Sequence, residues 1–163
     1  AKTEAAYLAL WLAEAQRGWR HLASEANYGA NVDVAGLGDI RIEGRVDRIE
    51  VFSAGENAGA LRVLDYKTSA ASVLKKKNDA PAEAVQLAVY GWLAEAAAAF
   101  VPLDDDTPRL MPLDGETDVE AIALRLPALL AKIAAGTPLP ANGVDAVCKH
   151  CDVRGLCRKG QRA

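Results

Sequence analysis

Cysteine is absent before position 148, and the 163-residue chain holds only three, all within its last sixteen positions. A secreted scaffold stapled by disulfides would spread more of them along its length, so a reducing, cytoplasmic setting is expected. Long apolar runs are also missing: nothing approaches the roughly 18 residues that would suggest a membrane span. There is no basic excess either. The formal net charge is −3, which argues against nucleic-acid binding by bulk charge but leaves a local site open. The opening Ala-Lys-Thr-Glu-Ala has neither the basic stretch nor the apolar core of a signal peptide. It also lacks an initiator Met, which points to a piece of a longer polypeptide. No internal repeat is visible.

What is present is the composition of one globular domain, with 51% hydrophobic and 25% charged residues. Leu8, Trp11, Leu12, Ala15, Trp19 and Leu22 recur at steps of three and four, predicting an amphipathic helix over about 4–23. Residues 25–35 are compatible with a short strand, and Ile40-Arg41-Ile42 alternates as a half-buried strand does. The apolar phase then slips between Val46 and Ile49, which suggests a β-bulge near Asp47 or Arg48. A turn-rich segment over 53–59 predicts a hairpin leading into an apolar strand over 61–67.

Beyond the Lys75-Lys76-Lys77 loop, Asp79 and Pro81 signal a helix start. Val85, Ala88, Val89, Trp92 and Leu93 give that helix its buried face, with an end expected near Phe100. Residues 110–113 read as a short edge strand between prolines. Thr117-Asp118-Val119-Glu120 has the spacing of a capping box. Pro127 should kink or divide the helix that follows, and Gly136 with Pro138 should end it. The expected order is α-β-β-β-α-β-α, an α/β (α+β) domain with a central mixed sheet under helical cover. Two regions are expected, a core over 1–143 and a cysteine-bearing basic tail over 144–163.

Two segments concentrate the chemistry. In Leu64-Asp65-Tyr66-Lys67-Thr68, strand alternation puts Asp65 and Lys67 on one face and Tyr66 on the other. A carboxylate and an ammonium ending an apolar strand are costly to desolvate unless paired or bound to an ion. Asp47, in Gly44-Arg45-Val46-Asp47-Arg48-Ile49-Glu50, would bring a second carboxylate from a neighbouring strand. Two hard-oxygen acids beside a lysine suit Mg²⁺. The plainer alternative is a structural ion pair of Asp65 with Lys67, with Asp47 paired to Arg45 or Arg48. Gln86 and Tyr90, four residues apart, share a helix face; they contact a substrate, support the site, or are an ordinary polar flank.

Read together and in this order, Gly-Arg-Val-Asp-Arg-Ile, Leu-Asp-Tyr-Lys-Thr and Gln-Leu-Ala-Val-Tyr closely resemble the RecB-like branch of the PD-(D/E)XK nuclease superfamily, from about Trp19 to Arg158. The resemblance implies a restriction-endonuclease-like core and a metal-dependent DNA nuclease, exonucleolytic, within a helicase–nuclease that processes double-strand breaks. It makes Asp47 and Asp65 the acids that bind Mg²⁺ or Mn²⁺, the Tyr66 carbonyl a further ligand, Lys67 the catalytic lysine, and Gln86 and Tyr90 the Gln-x-x-x-Tyr element. DNA and helicase domains or subunits are the implied partners. The alternative of another class is a catalytically inactive DNA-binding or scaffold domain that keeps the fold.

Cys148, Cys151 and Cys157 have C-x₂-C-x₅-C spacing, a hook used by zinc and by iron–sulfur sites. That segment resembles the tail of AddB-type nuclease domains. There, three such cysteines join a fourth preceding the core to hold a four-iron, four-sulfur cluster. No fourth cysteine is present here, so the cluster is expected to be incomplete in this chain; a zinc-stapled interaction module is the third reading. The family's first acid or His also lacks an obvious counterpart. His21 stands only 26 residues ahead of Asp47 (47 − 21) and reads as a helix-end histidine, and Glu25 is a weak acidic candidate. Lys75, Lys76 and Lys77, the tail's Lys149, Arg154, Arg158, Lys159 and Arg162, and Thr68 are candidate phosphate contacts.

Overall fold

A computed structural model describes residues 2–78, 85–113, 118–138, 145–154 and 156–157. Helix α1 (Lys2–Gln16) leads into strands β1 (Trp19–Val34) and β2 (Gly38–Phe52), then a 3₁₀ turn at Gly55–Asn57 and strand β3 (Leu61–Lys67). Helices α2 (Ala71–Asn78) and α3 (Gln86–Leu93) follow, then β4 (Ala97–Pro102), β5 (Met111–Pro112), α4 (Val119–Ala134) and the short α5 (Asp145–Cys148). Among the described residues the strands form one mixed sheet in the order β1-β2-β3-β4-β5. Only the β3–β4 pair is parallel. No helix among the described residues is long and apolar enough to cross a membrane.

The α/β architecture expected from the sequence is present, and three boundaries differ. The helical spacing ran through Trp19 and Leu22, but Gly18, at φ 108, ends the helix. Its left-handed backbone is open to glycine and awkward for other residues. From Trp19 onward the chain is a strand paired with β2, so the expected short strand over 25–35 is the far end of a 16-residue one. His21 is therefore a strand residue, bonded to Ser24, and not a helix end. The Ala-rich continuation to Phe100 is β4 and not helix. Ala98, Ala99, Phe100 and Val101 are buried there beside β3, so tertiary burial overrides alanine's helical preference. The lysine loop is instead α2, anchored by buried Leu74 with Lys75 and Lys76 exposed.

Other expectations meet smaller adjustments. The cap of α4 is Asp118, whose carboxylate accepts from the Ala121 N–H; Thr117 lies outside the described residues, as do Asp79 and Pro81. Pro127 sits inside α4 without dividing it, and Gly136 at φ 75 ends the helix as expected. The β2–β3 hairpin and the edge strand β5 stand where the turn signals put them.

The sheet is covered on both faces. On one, Val46, Ile49, Val63, Leu74, Leu87, Ala98 and Phe100 pack with Val119 of α4, and on the other Leu64, Ala99 and Val101 pack with Tyr7 and Trp11 of α1. A buried charge network also ties α1 to the sheet. Arg62 donates to Glu50 at 2.7 Å and to Glu14 at 2.6 Å, with Trp19 stacked on its guanidinium. Each buried charge there has a hydrogen-bonded partner, without which burial would be prohibitive.

Candidate active site

The site lies where β2 and β3 part. Their ladder runs from Val51↔Leu61 to Arg48↔Leu64 and stops, although both strands continue. Past that point β3 keeps β4 on one side, and on the other the Asp47 carboxylate takes the place of the missing strand. Asp47 Oδ2 accepts the Tyr66 N–H at 2.9 Å. A strand residue's N–H and C=O point to the same side, so the Tyr66 carbonyl opens onto the same gap. The Lys67 carbonyl points the other way and accepts the Leu103 N–H at 2.7 Å.

Asp47 reaches this gap because β2 changes face there. Val46 and Ile49 both belong to the cluster under α3, yet they stand three residues apart, where a regular strand would need an even step. Arg48 and Glu50 turn to α1 instead. The irregularity expected near Asp47 is thus a change of face, while the register shift lies on β1 between His21 and Ala23. Glu25, which falls opposite Asp47 between the pairs Ser24↔Arg48 and Ala26↔Val46, has a left-handed backbone at φ 53.

Asp65 is 3% exposed and flanked by Val63 and, across the β3–β4 ladder, by Phe100. Burial raises its carboxyl above the usual range, partly opposed by the adjacent Lys67 ammonium, and the Asp47 carboxylate raises it further. Its Oδ2 lies 2.6 Å from Lys67 Nζ, yet it is a buried oxygen without a well-directed hydrogen bond. Lys67 Nζ also donates to Gln86 Oε1 at 3.3 Å, and Gln86 Nε2 donates to the Tyr90 hydroxyl at 2.8 Å. Four of the five side chains named from the sequence, Asp65, Lys67, Gln86 and Tyr90, therefore form one chain of contacts, and Asp47 joins it through the Tyr66 backbone N–H. Of the plainer alternative, the Asp65–Lys67 pair exists, but Arg45 pairs with Glu25 and Arg48 with Glu50.

The pair Asp47 and Asp65, with the Tyr66 carbonyl, offers only oxygen donors, one of them a buried carboxylate oxygen whose one close partner is the Lys67 ammonium. That donor set fits Mg²⁺ or Mn²⁺, which takes one or two carboxylates and completes its shell with water and phosphate. Among the described residues no three His, Cys, Asp or Glu side chains gather to enclose a metal by themselves. The cysteines accordingly do not fit a cluster or zinc site as placed: Cys148 is half-buried, Cys151 and Cys157 are exposed, and they do not converge.

Comparison with known families agrees with this geometry. The model of the PD-(D/E)XK nuclease superfamily matches residues 1–158. The chain belongs to that superfamily. Membership implies nuclease chemistry, and nucleases of the PD-(D/E)XK superfamily typically use divalent metals. Among solved structures, the crystal structure of SSO0001 is similar at 20% identity and a TM-score of 0.47, covering 93% of this chain and 67% of that one. The search of curated proteins finds no match. Sequence reasoning missed Trp11, which it read only as helix core, and the true partner of Arg48; both face the back of this PD-(D/E)XK site.

Proposed function

We propose that this PD-(D/E)XK domain is a Mg²⁺-dependent deoxyribonuclease, with Asp47, Asp65 and the Tyr66 carbonyl as metal ligands and Lys67 as the catalytic lysine. The single observation carrying this is the buried Asp65 oxygen, unsatisfied by a directed hydrogen bond and set beside Lys67, with the Asp47 carboxylate held at the same gap. A bound divalent ion supplies charge neutralisation on the scissile phosphate and a water of lowered pKa.

The chain's own residues do the rest. Lys67, with its side chain 34% exposed, holds an ammonium at the mouth of the gap. There it orients the attacking water and stabilises negative charge developing on phosphate. Gln86 and Tyr90 steer that ammonium from the α3 side, and Tyr90 offers its hydroxyl hydrogen to a phosphate oxygen. Asp47 keeps the Tyr66 peptide oriented. DNA as substrate, exonucleolytic action, and a place within a helicase–nuclease for double-strand breaks rest on the motif resemblance. A cluster completed by a fourth cysteine rests on the resemblance of the C-x₂-C-x₅-C tail to AddB-type nuclease domains.

Cleavage of end-labelled linear DNA by the intact polypeptide in Mg²⁺ tests this. Asp65→Ala and Lys67→Ala should each lower the rate by about 10²- to 10³-fold, the scale on which removal of charge-stabilising groups acts. Robust cleavage by either variant refutes the assignment.

A further inference from the structure

We propose that Arg48 is a positioning residue that sets the width of the gap between Asp47 and the Asp65-Tyr66 peptide, and so governs divalent-metal affinity without touching the metal. The inference rests on the metal reading of Asp47 and Asp65.

Arg48 occupies the last rung of the β2–β3 ladder, paired with Leu64, directly before the strands part. Its guanidinium is held from two directions. Nε and Nη2 both donate to Glu50 Oε1, at 2.8 and 2.5 Å. The ring of Trp11 lies 4.4 Å away, so that Arg48 and Tyr66 pack on the same indole. The Tyr66 ring in turn meets Trp11 edge to face, with centroids 6.3 Å apart. Glu50 is itself fixed by Arg62, which also holds Glu14 of α1.

These contacts have a consequence for Asp47. Val46 is wholly buried on the α3 side, and Arg48 is clamped on the α1 side, so the residue between them cannot settle on either face. It turns into the plane of the sheet, where its carboxylate meets the Tyr66 N–H. Arg48 therefore ties β2 to β3 through the Leu64 rung of the backbone, and through Trp11, whose ring it shares with the Tyr66 side chain. The carbonyl offered to the metal and the carboxylate opposite it belong to the two residues Arg48 restrains. A planar fork with several donors can hold this set of partners; an ammonium on a flexible stem cannot.

The test is a Mn²⁺ titration read by the electron paramagnetic resonance of free Mn²⁺, run beside thermal melting in the absence of metal. Arg48→Lys keeps the charge, and Tyr66→Phe removes one hydroxyl from a folded chain. Both should weaken Mn²⁺ binding roughly tenfold or more, the scale of outer-shell changes at metal sites. A control, Ile122→Val, should lower the melting temperature and leave Mn²⁺ affinity unchanged, because Ile122 is on the buried face of α4 and is not among the residues around the gap. If both Arg48→Lys and Tyr66→Phe bind Mn²⁺ as the parent does, the positioning role is overturned while the metal site stands. If the parent itself shows no site abolished by Asp65→Asn, the metal reading and this inference fall together.

Discussion

At the scale of single residues, Asp65 carries a conflict between stability and activity. Its carboxyl is raised by burial, and its Oδ2 lacks a directed hydrogen bond. The folded state therefore holds the Asp65 proton more tightly than the unfolded chain. Between the ordinary aspartate pKa and the raised folded value, stability falls as pH rises, and the loss is complete above the folded value. Asp65→Asn should thus melt higher than the parent at neutral pH in the absence of metal, with the advantage shrinking toward acid. Parallel melts at neutral and acidic pH check this; a variant less stable at neutral pH contradicts it. Gly44 makes a second case. A Cβ there would stand 2.7 Å from the Tyr90 ring and 3.1 Å from Leu93. Gly44→Ala should cost about 1–3 kcal/mol of overpacking and lower cleavage by displacing Tyr90 from Gln86, as chemical denaturation and the DNA assay will show.

At the scale of elements, the pairings within the candidate site were more legible in the sequence than its scaffold. Alternation alone put Asp65 with Lys67, and helical spacing alone put Gln86 with Tyr90; these are local rules, and the local geometry obeys them. The slip between Val46 and Ile49 was visible as a broken period, because burial on one face leaves a mark in residue type. What local rules could not supply was the identity of partners across the sheet. Ala97–Pro102 reads as helix because alanine favours it, and only its place between β3 and β5 makes it a strand. Leu22 fits a helical stripe because nothing in its own type marks the turn at Gly18. Arg48 looked like a counter-ion for its neighbour, whereas its partners come from β2, β3 and α1. Small residues at the α3–β4 contact follow the same logic: a Cβ on Gly91 would meet Val119 and stand 2.9 Å from the Ala96 carbonyl oxygen. Alanine normally improves a helix by about 1 kcal/mol, but Gly91→Ala should destabilise by about 1–3 kcal/mol because backbone cannot yield. A rise in denaturation midpoint contradicts that packing.

At the scale of the whole molecule, two covered faces hold a sheet whose central strands separate at one place. Helix α1 and its buried charges brace the back, and α3 lays Gln86 and Tyr90 along the front. That arrangement is consistent with the PD-(D/E)XK superfamily, whose model matches residues 1–158. The most direct measurement is an anomalous-difference map from crystals soaked in Mn²⁺. A peak shared by the Asp47 and Asp65 carboxylates and the Tyr66 carbonyl is the predicted result. Density at the cysteines alone, with the gap between β2 and β3 empty at saturating Mn²⁺, contradicts the account.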